Sequence, residues 1–309
     1  MKKIVIFNVG GALSAYAEFD DKKVIIDIGS SSTFSPVEDF LVPLTEKKIF
    51  EKDNQGKFLV NQLFFSHLDR DHISDYPKFK EKFNAHYMTC PNDNEKQNDE
   101  FKVNRELLGE ENDTRNAVLE EMKNRNPDSV DNPLISITDE ISLFYILPQT
   151  CENDEDLKSG YANNISLVLF LHVGNKTLLL PGDMLKEGMQ YLIDNNMNFK
   201  NYLSNDGVDY LIAPHHGLQT SFSEYLFQTM SGNKTRLNII SEKVREADSD
   251  ENRSDVDSRY YSSDYSTGKN SLNQNAVKTS LGHIVIDFDT DETEIKQYSD
   301  IQDVIKEFI

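Results

Sequence analysis

The sequence is short of basic residues, cysteines and long apolar runs, and each shortage removes a class of protein. Lysine and arginine total 32 against 53 aspartates and glutamates, a formal net charge of −21 over 309 residues. Nucleic-acid affinity is drawn largely from Lys and Arg, so an extended duplex-binding surface is not expected. The acidic balance itself favours solubility. The two cysteines, Cys90 and Cys151, are far apart and not in C-x-x-C spacing. That argues against a disulfide framework and against a cysteine zinc site. No stretch approaches the roughly 18–20 apolar residues of a membrane span. The opening MKKIVIFNVG holds an apolar run too short for a signal peptide and no small-residue cleavage site. A cytoplasmic protein without a membrane segment is therefore expected. No internal repeat is evident.

What is present is enough apolar material, 38% of residues, for a real core. The order of elements reads as strands interrupted by helices. KIVIFNVG is a first strand, residues 12–19 and 23–28 form a hairpin across the turn at Asp20–Asp21, and FLVNQLFF (58–65) reads as a buried strand. A helix follows, with Ser74 as its cap and Pro77 in its first turn. Further strands are AHYMTC, ISLFYILP (141–148), the pair around Gly174-Asn175, VDYLIAP, LNIIS and a final hairpin from Gly282, before a closing helix. Residues 92–132 are charged and Asn-rich, with helical spacing at Leu107, Leu108, Val118, Leu119 and Met122, and read as a helical insertion. Residues 242–276 are polar and low in apolar content, a loop or mobile segment. One α/β layered domain over 1–309 is expected, with polar clusters gathered at strand ends.

Three of those clusters carry metal-competent side chains. SHLDRDH follows the buried strand and places His67, Asp69, Asp71 and His72 within one short loop. Imidazole nitrogen and carboxylate oxygen are the usual ligands of catalytic divalent metals. In an extended loop, residues 67, 69 and 71 share a face. TLLLPGD ends a strand with Asp183, and YLIAPHHG ends another with His215 and His216. Singly, each would be an ordinary turn. Three apolar runs, each ending in a breaker and a ligand-type side chain, point to one shared site on loops held by rigid elements.

SHLDRDH, LLLPGD and APHHG, in this order, resemble the metallo-β-lactamase-fold hydrolases, and most nearly the competence-type branch, the hydrolase domain of ComEC-like DNA-uptake proteins. The opening FNVGGALSAYAEFDDKKVIIDIG is similar to the family's first hairpin with its Asp-x-Gly, here Asp27 and Gly29. NNISLVLFL and VKTSLGHIVID also look like segments of that branch. The likeness spans most of the chain outside 92–132 and 242–276. It implies an αββα four-layer sandwich, with acidic surface insertions and metals at one edge between two sheets. It implies that His67 and Asp69 face one metal, that Asp71, His72 and His215 face a second, and that Asp183 bridges them. One or two divalent ions, zinc or manganese, are the implied cofactors.

The chain departs from the broad family in two places. No histidine stands where most members offer a third ligand to the first metal. With the turn at 174–175, strand partners sum to 349, so Asp183 faces Ser166 and His172 lies far off near the turn. Asn163 and Asn164 lie at the correct end, and Asn164 is a candidate weak ligand or water holder. His86 and His283 read as structural. An oxygen-rich set suits Mn²⁺ or Mg²⁺ better than a His-rich zinc set does. The Gly-His-Pro segment that the branch often carries after LNIIS is also missing, as no histidine lies between 217 and 282.

The resemblance implies a metal-bound hydroxide held by Asp71, which also accepts its proton. His216 is placed to donate to a phosphate oxygen or to support His215, and Ser221 to cap the following helix. A phosphodiesterase or nuclease for nucleotides or single-stranded nucleic acid is the first reading. A hydrolase of a thioester, lactone or amide, and a degenerate binding module, are the alternatives. Lys57, Lys78, Lys80 and Lys278 are the cations available for a local basic cleft.

Overall fold

The computed structural model describes residues 1–125, 134–242, 256–289 and 294–309. The alternation along its first strand already defines the layers. In β1 (Lys2–Ile6), Ile4 and Ile6 point into one apolar cluster and Val5 into another. Successive strand side chains face opposite ways, so a strand apolar on both faces must be covered on both.

Two sheets provide the inner cover. Beyond β1 the strands are β2 (Ser14–Phe19), β3 (Lys22–Ile28), β4 (Phe58–Phe64), β5 (Phe83–Thr89), β6 (Ile141–Phe144), β7 (Val168–Val173), β8 (Lys176–Leu180), β9 (Tyr210–Ile212), β10 (Leu237–Ile240), β11 (Ala276–Lys278), β12 (His283–Asp287) and β13 (Glu294–Tyr298). One sheet runs β13-β12-β1-β2-β3-β4-β5 and the other β11-β10-β9-β8-β7-β6. Between them lie Ile4, Ile6, Ala15, Ala17 and Ile26 from the first sheet and Leu169, Leu171, Leu178, Leu180 and Ile239 from the second. The outer faces carry helices. Tyr16 meets Phe40 and Phe308 edge-on, with ring centroids at 5.2 and 5.4 Å. On the other side Phe170 packs on Tyr202 of the helix Met197–Asn205 at 5.2 Å. The fold is thus α/β in four layers, αββα. Each fully buried side chain of this size stabilises it by ~1.5–3 kcal/mol over leaving that group in water.

Most expected elements are present, and the departures have local causes. β2 and β3 pair as the expected hairpin, and β7 and β8 pair with Leu169 opposite Leu180 and Val173 opposite Lys176, the register that sums to 349. β6 stops at Phe144, and Pro148 opens the helix Pro148–Asn153 instead of ending a strand. Asp75, not Ser74, takes the N-cap position of Tyr76–Lys82, because Ser74 closes the turn Arg70–Ile73 before it. Likewise Ser223, not Ser221, caps Glu224–Thr229 by accepting from Leu226 N.

Among its described residues the insertion forms one regular helix, Asp113–Asn124, which buries Val118, Leu119 and Met122. Leu107 and Leu108 lie on and just after the single turn Arg105–Leu107. Residues 126–132 of the insertion lie outside the described residues. Within 242–276, the part from 256 on is packed rather than free: Tyr260 is buried, its carbonyl accepts from Asn238 Nδ2 at 2.8 Å, and β11 pairs with β10. Residues 243–255 lie outside the described residues. Both cysteines are buried and free.

β3, β4 and β5 are parallel neighbours, as are β8, β9, β10 and β11. The loops leaving their carboxyl ends meet at one edge of the sandwich. Leu167 N donates to Ser66 O at 2.7 Å, and Ser241 Oγ donates to Ala12 O, so the two sheets are stitched together there.

Candidate metal centre

Each group at this edge leaves the carboxyl end of a strand: Asp27 from β3, residues 65–72 from β4, Asp183 from β8, His215 and His216 from β9, and Ser241 from β10. In open α/β sheets such ends are the usual place for a ligand.

Asp27 organises the first loop. It is fully buried with a left-handed φ of 54°. Its Oδ1 accepts from Ser66 N and its Oδ2 from Ser66 Oγ, both at 2.7 Å, and His72 Nδ1 lies 2.8 Å from Oδ2. Gly29, two residues on, makes room for the loop: a Cβ there would stand 1.9 Å from Asp71 O. Gly182 does the same on the opposite loop, where φ is +60° and a Cβ would stand 2.8 Å from the Ser66 Cβ.

The Nδ1 of His72 is spent on Asp27, so its Nε2 either carries a second proton or presents a lone pair to Asp183, whose Oδ1 is 3.1 Å away. A lone pair opposite a carboxylate oxygen is repulsive unless a proton or a metal ion lies between them. Burial alone would depress the His72 pKa, yet Asp183 and Asp27 hold it well above the usual value. His72 is wholly buried, and its Nε2 makes no hydrogen bond.

His216 repeats the pattern. Its Nδ1 lies 3.1 Å from Ser241 O, and its Nε2 lies 3.0 Å from Asp71 Oδ2. Its pKa is raised too: burial opposes protonation, and Asp183 and Asp71 overcome that. The carboxylates respond in the opposite sense. Burial would raise Asp71, but the His216 bond and His72 bring it down to about 2. Asp183, also buried, is held well below the carboxylate range, chiefly by His72 and His216.

Asp71, His72, Asp183 and His216 each offer one ligand atom, and these four atoms lie within 4.8 Å of one another. Asp183 Oδ2 stands 3.8 Å from Nε2 of each of His67, His215 and His216. Ligand atoms ~2.0–2.2 Å from a shared ion lie only a little closer together than that. Metal-bound histidines characteristically donate the other ring nitrogen to a carboxylate or carbonyl, as Asp27 and Ser241 allow here. The residues fit a divalent ion of the nitrogen–oxygen class.

The remaining expected residues are placed as follows. His67 is fully buried, and its Nε2 makes no hydrogen bond and lies 3.8 Å from Asp69 Oδ2. Burial, then His72, lower its pKa. Asp69 stands outside the tight group and pairs with Arg115, whose Nη2 is 3.2 Å from Asp69 Oδ1. His216, rather than His215, joins the tight group, while His215 Nδ1 turns to Ser221 Oγ at 3.4 Å. His215, His216 and Gly217 are all left-handed, with φ of 48°, 58° and 79°. That conformation is costly for two non-glycine residues and is typical of functional sites.

Asn164 spends its carboxamide on packing, donating to Leu157 O at 2.8 Å and accepting from Leu185 N at 3.3 Å. Asp183 N donates to Ser166 Oγ at 3.3 Å, as the strand register requires. His86 and His172 are exposed, and His283 Nδ1 accepts from Asn8 N at 3.1 Å.

None of the four lysines forms a free cleft. Lys78 pairs with Asp75, Lys80 with Glu121 and Lys278 with Glu242, and Lys57 donates to Lys80 O. Sequence reasoning missed Arg115, Ser66 and Ser241. Ser66 sits inside the quoted motif, but nothing in the sequence links Arg115 to Asp69.

No protein-family model matches the sequence, and comparison with curated proteins gives no match. Among solved structures the chain is similar to the metallo-β-lactamase-fold protein YhfI from Bacillus subtilis, at 11% identity over 80% of this chain and 89% of that one, with a TM-score of 0.41. It is also similar to a diphosphatase of the PhnP family, at 11% identity, 79% and 87% coverage and a TM-score of 0.35. A third is Igni18, a metallo hydrolase from Ignicoccus hospitalis, at 9% identity, 77% and 81% coverage and a TM-score of 0.34. Among the described residues no helix is long and apolar enough to cross a membrane.

Proposed function

We propose that this chain is a metal-dependent hydrolase that cleaves a phosphodiester, in a nucleotide or a short single-stranded nucleic acid. Asp71, His72, Asp183 and His216 hold the ion, which is zinc or manganese. One observation carries the reading: two buried imidazoles, His72 and His216, each have Nδ1 tied to an acceptor and Nε2 pressed against a carboxylate. Only a proton or a cation relieves that arrangement.

A bound divalent ion supplies a water of lowered pKa and a Lewis acid at the scissile group. The chain's own residues supply the rest. Asp71, lowered to about 2 and 39% exposed at its side chain, is a carboxylate at neutral pH and open to substrate. It is the proton acceptor in this reading. Asp183 stays anionic inside the protein and balances the positive charge. With its Nδ1 on Ser241 O and its Nε2 given to the ion, His216 serves as a ligand in this reading and not as a donor to a substrate oxygen. The carboxylate-rich group and the likeness of SHLDRDH and APHHG to the competence-type hydrolases favour a phosphodiester over a lactone or thioester. The acidic surface and the paired lysines disfavour a long duplex.

The test is hydrolysis of bis(p-nitrophenyl) phosphate with Mn²⁺ or Zn²⁺, wild type against Asp71→Asn. Metal-dependent turnover that the substitution removes supports the reading. A protein that binds metal and leaves the diester intact sinks the phosphodiester reading and favours another ester class. A protein that binds no metal and shows no turnover favours a binding module.

A further inference from the structure

The two halves of the expected two-ion centre are not equivalent. On one side four ligand atoms converge within 4.8 Å. On the other, Asp69 is already paired: Arg115 Nη2 lies 3.2 Å from its Oδ1, while its Oδ2 lies 3.8 Å from His67 Nε2. That guanidinium is fixed in place. Its Nε donates to Leu68 O and its Nη1 to Glu110 O, both at 3.1 Å, and the residue is 7% exposed. The Asn112 side chain caps the helix at Arg115 N with a 2.7 Å bond. No histidine stands at the third-ligand position that the resemblance implies, and Asn164 is bound elsewhere.

We infer that the chain binds one divalent ion, not two, and that Arg115 closes the other position by pairing with Asp69. The inference rests on the metal-dependent reading above. A carboxylate that shares its charge with a fixed guanidinium binds a second cation poorly, because the two cations repel at short range. What remains there is His67 Nε2, 3.8 Å from the shared Asp183 Oδ2, with His215 Nε2 at the same distance from that oxygen and its Nδ1 on Ser221 Oγ. With Asp69 paired, the position has no carboxylate of its own and only the shared Asp183 to offset a second dication. Arg115 is therefore a positioning residue: it holds the His67–Asp69 loop without an ion. It comes from the insertion, so a segment outside the two sheets sets the number of ions.

The experiment is metal counting by inductively coupled plasma mass spectrometry on the purified full chain, after equilibration with Zn²⁺ or Mn²⁺, together with competition titration against a chromophoric chelator. One ion per chain is expected. Asp69→Asn keeps that ion with its affinity within a factor of about three, well short of the roughly 10–100-fold loss seen for partners of a ligand. Arg115→Met frees Asp69 and takes up a second ion. Two tight ions in the wild type overturn the inference, and so does a tenfold or greater loss in Asp69→Asn. A folded Arg115→Met that still holds one ion overturns the role of Arg115. If that variant does not fold, the wild-type count and Asp69→Asn decide. No ion in the wild type, with Asp183→Asn indistinguishable from it, sinks the proposed function instead.

Discussion

Asp27 and His72 lie 45 residues apart in sequence, yet a carboxylate oxygen of one and the Nδ1 of the other meet at 2.8 Å with neither side chain exposed. Asp27 thereby sets the tautomer of His72 and leaves its Nε2 for Asp183. In Asp27→Asn an amide nitrogen can replace that acceptor and turn donor against donor. The ring then takes the other tautomer and points a proton at the metal position. The expected result is a 10–100-fold fall in metal affinity with the fold retained, read by chelator competition alongside circular dichroism.

Gly29→Ala tests the approach of the two loops. A Cβ at Gly29 would lie 1.9 Å from Asp71 O and 2.7 Å from Leu13 O, both backbone atoms that cannot swing aside. A loss of ~2–4 kcal/mol is expected, in the range of severe overpacking, with metal affinity lost as the Asp71 loop shifts. Urea unfolding and metal titration of the same sample check both. A neutral result would mean that the loop adapts without cost.

His283 provides the pH test. Burial pushes its pKa down to about 4, and its Nδ1 accepts from Asn8 N beside the Phe34 ring. The folded value lies below the ordinary value of ~6.5, so the folded state binds fewer protons than the unfolded chain between these pH values. Its contribution is therefore complete above pH ~6.5 and is lost as pH falls toward 4, a change on the order of 2–3 kcal/mol. In His283→Asn the side-chain oxygen can still accept from Asn8. The difference in unfolding free energy between wild type and variant should then narrow from pH 7 to pH 4.

Removal of metal should lower stability, because the groups that hold the ion belong to both sheets. Ligand at a hundred times its dissociation constant adds ~2.7 kcal/mol. Differential scanning calorimetry with EDTA and with excess Zn²⁺ should show the two melting temperatures several degrees apart. Asp183→Asn should erase the difference.

How much of this was legible in the sequence depends on the range of the interaction. The strands, the β7–β8 register and the opposition of Asp183 and Ser166 follow from period-two patterning and a Gly-Asn turn, all local signals. So does the clustering of His67, Asp71, His72 and Asp183 at strand ends. That His216 joins the tight group of ligand atoms is not legible, because both histidines sit on a left-handed stretch that leaves no clear mark in composition. Arg115 was invisible for a different reason. Its partner is 46 residues away, and the helix that carries it reads as a polar surface element. Ser74 and Ser221 misled because two short helices abut, and the cap belongs to the later residue in each case.

The strand directions also give the molecule a working end and a handling end. All the site groups sit at the carboxyl ends of β3, β4, β8, β9 and β10, whereas the tight turns Asp20–Asp21 and Gly174–Asn175 lie at the opposite end and are exposed. A fluorophore, a surface tether or a fused peptide placed at Gly174–Asn175 would sit a full strand length from the chemistry. The turn β7–β8 is therefore the place to hold this protein while the edge with the candidate site is left untouched.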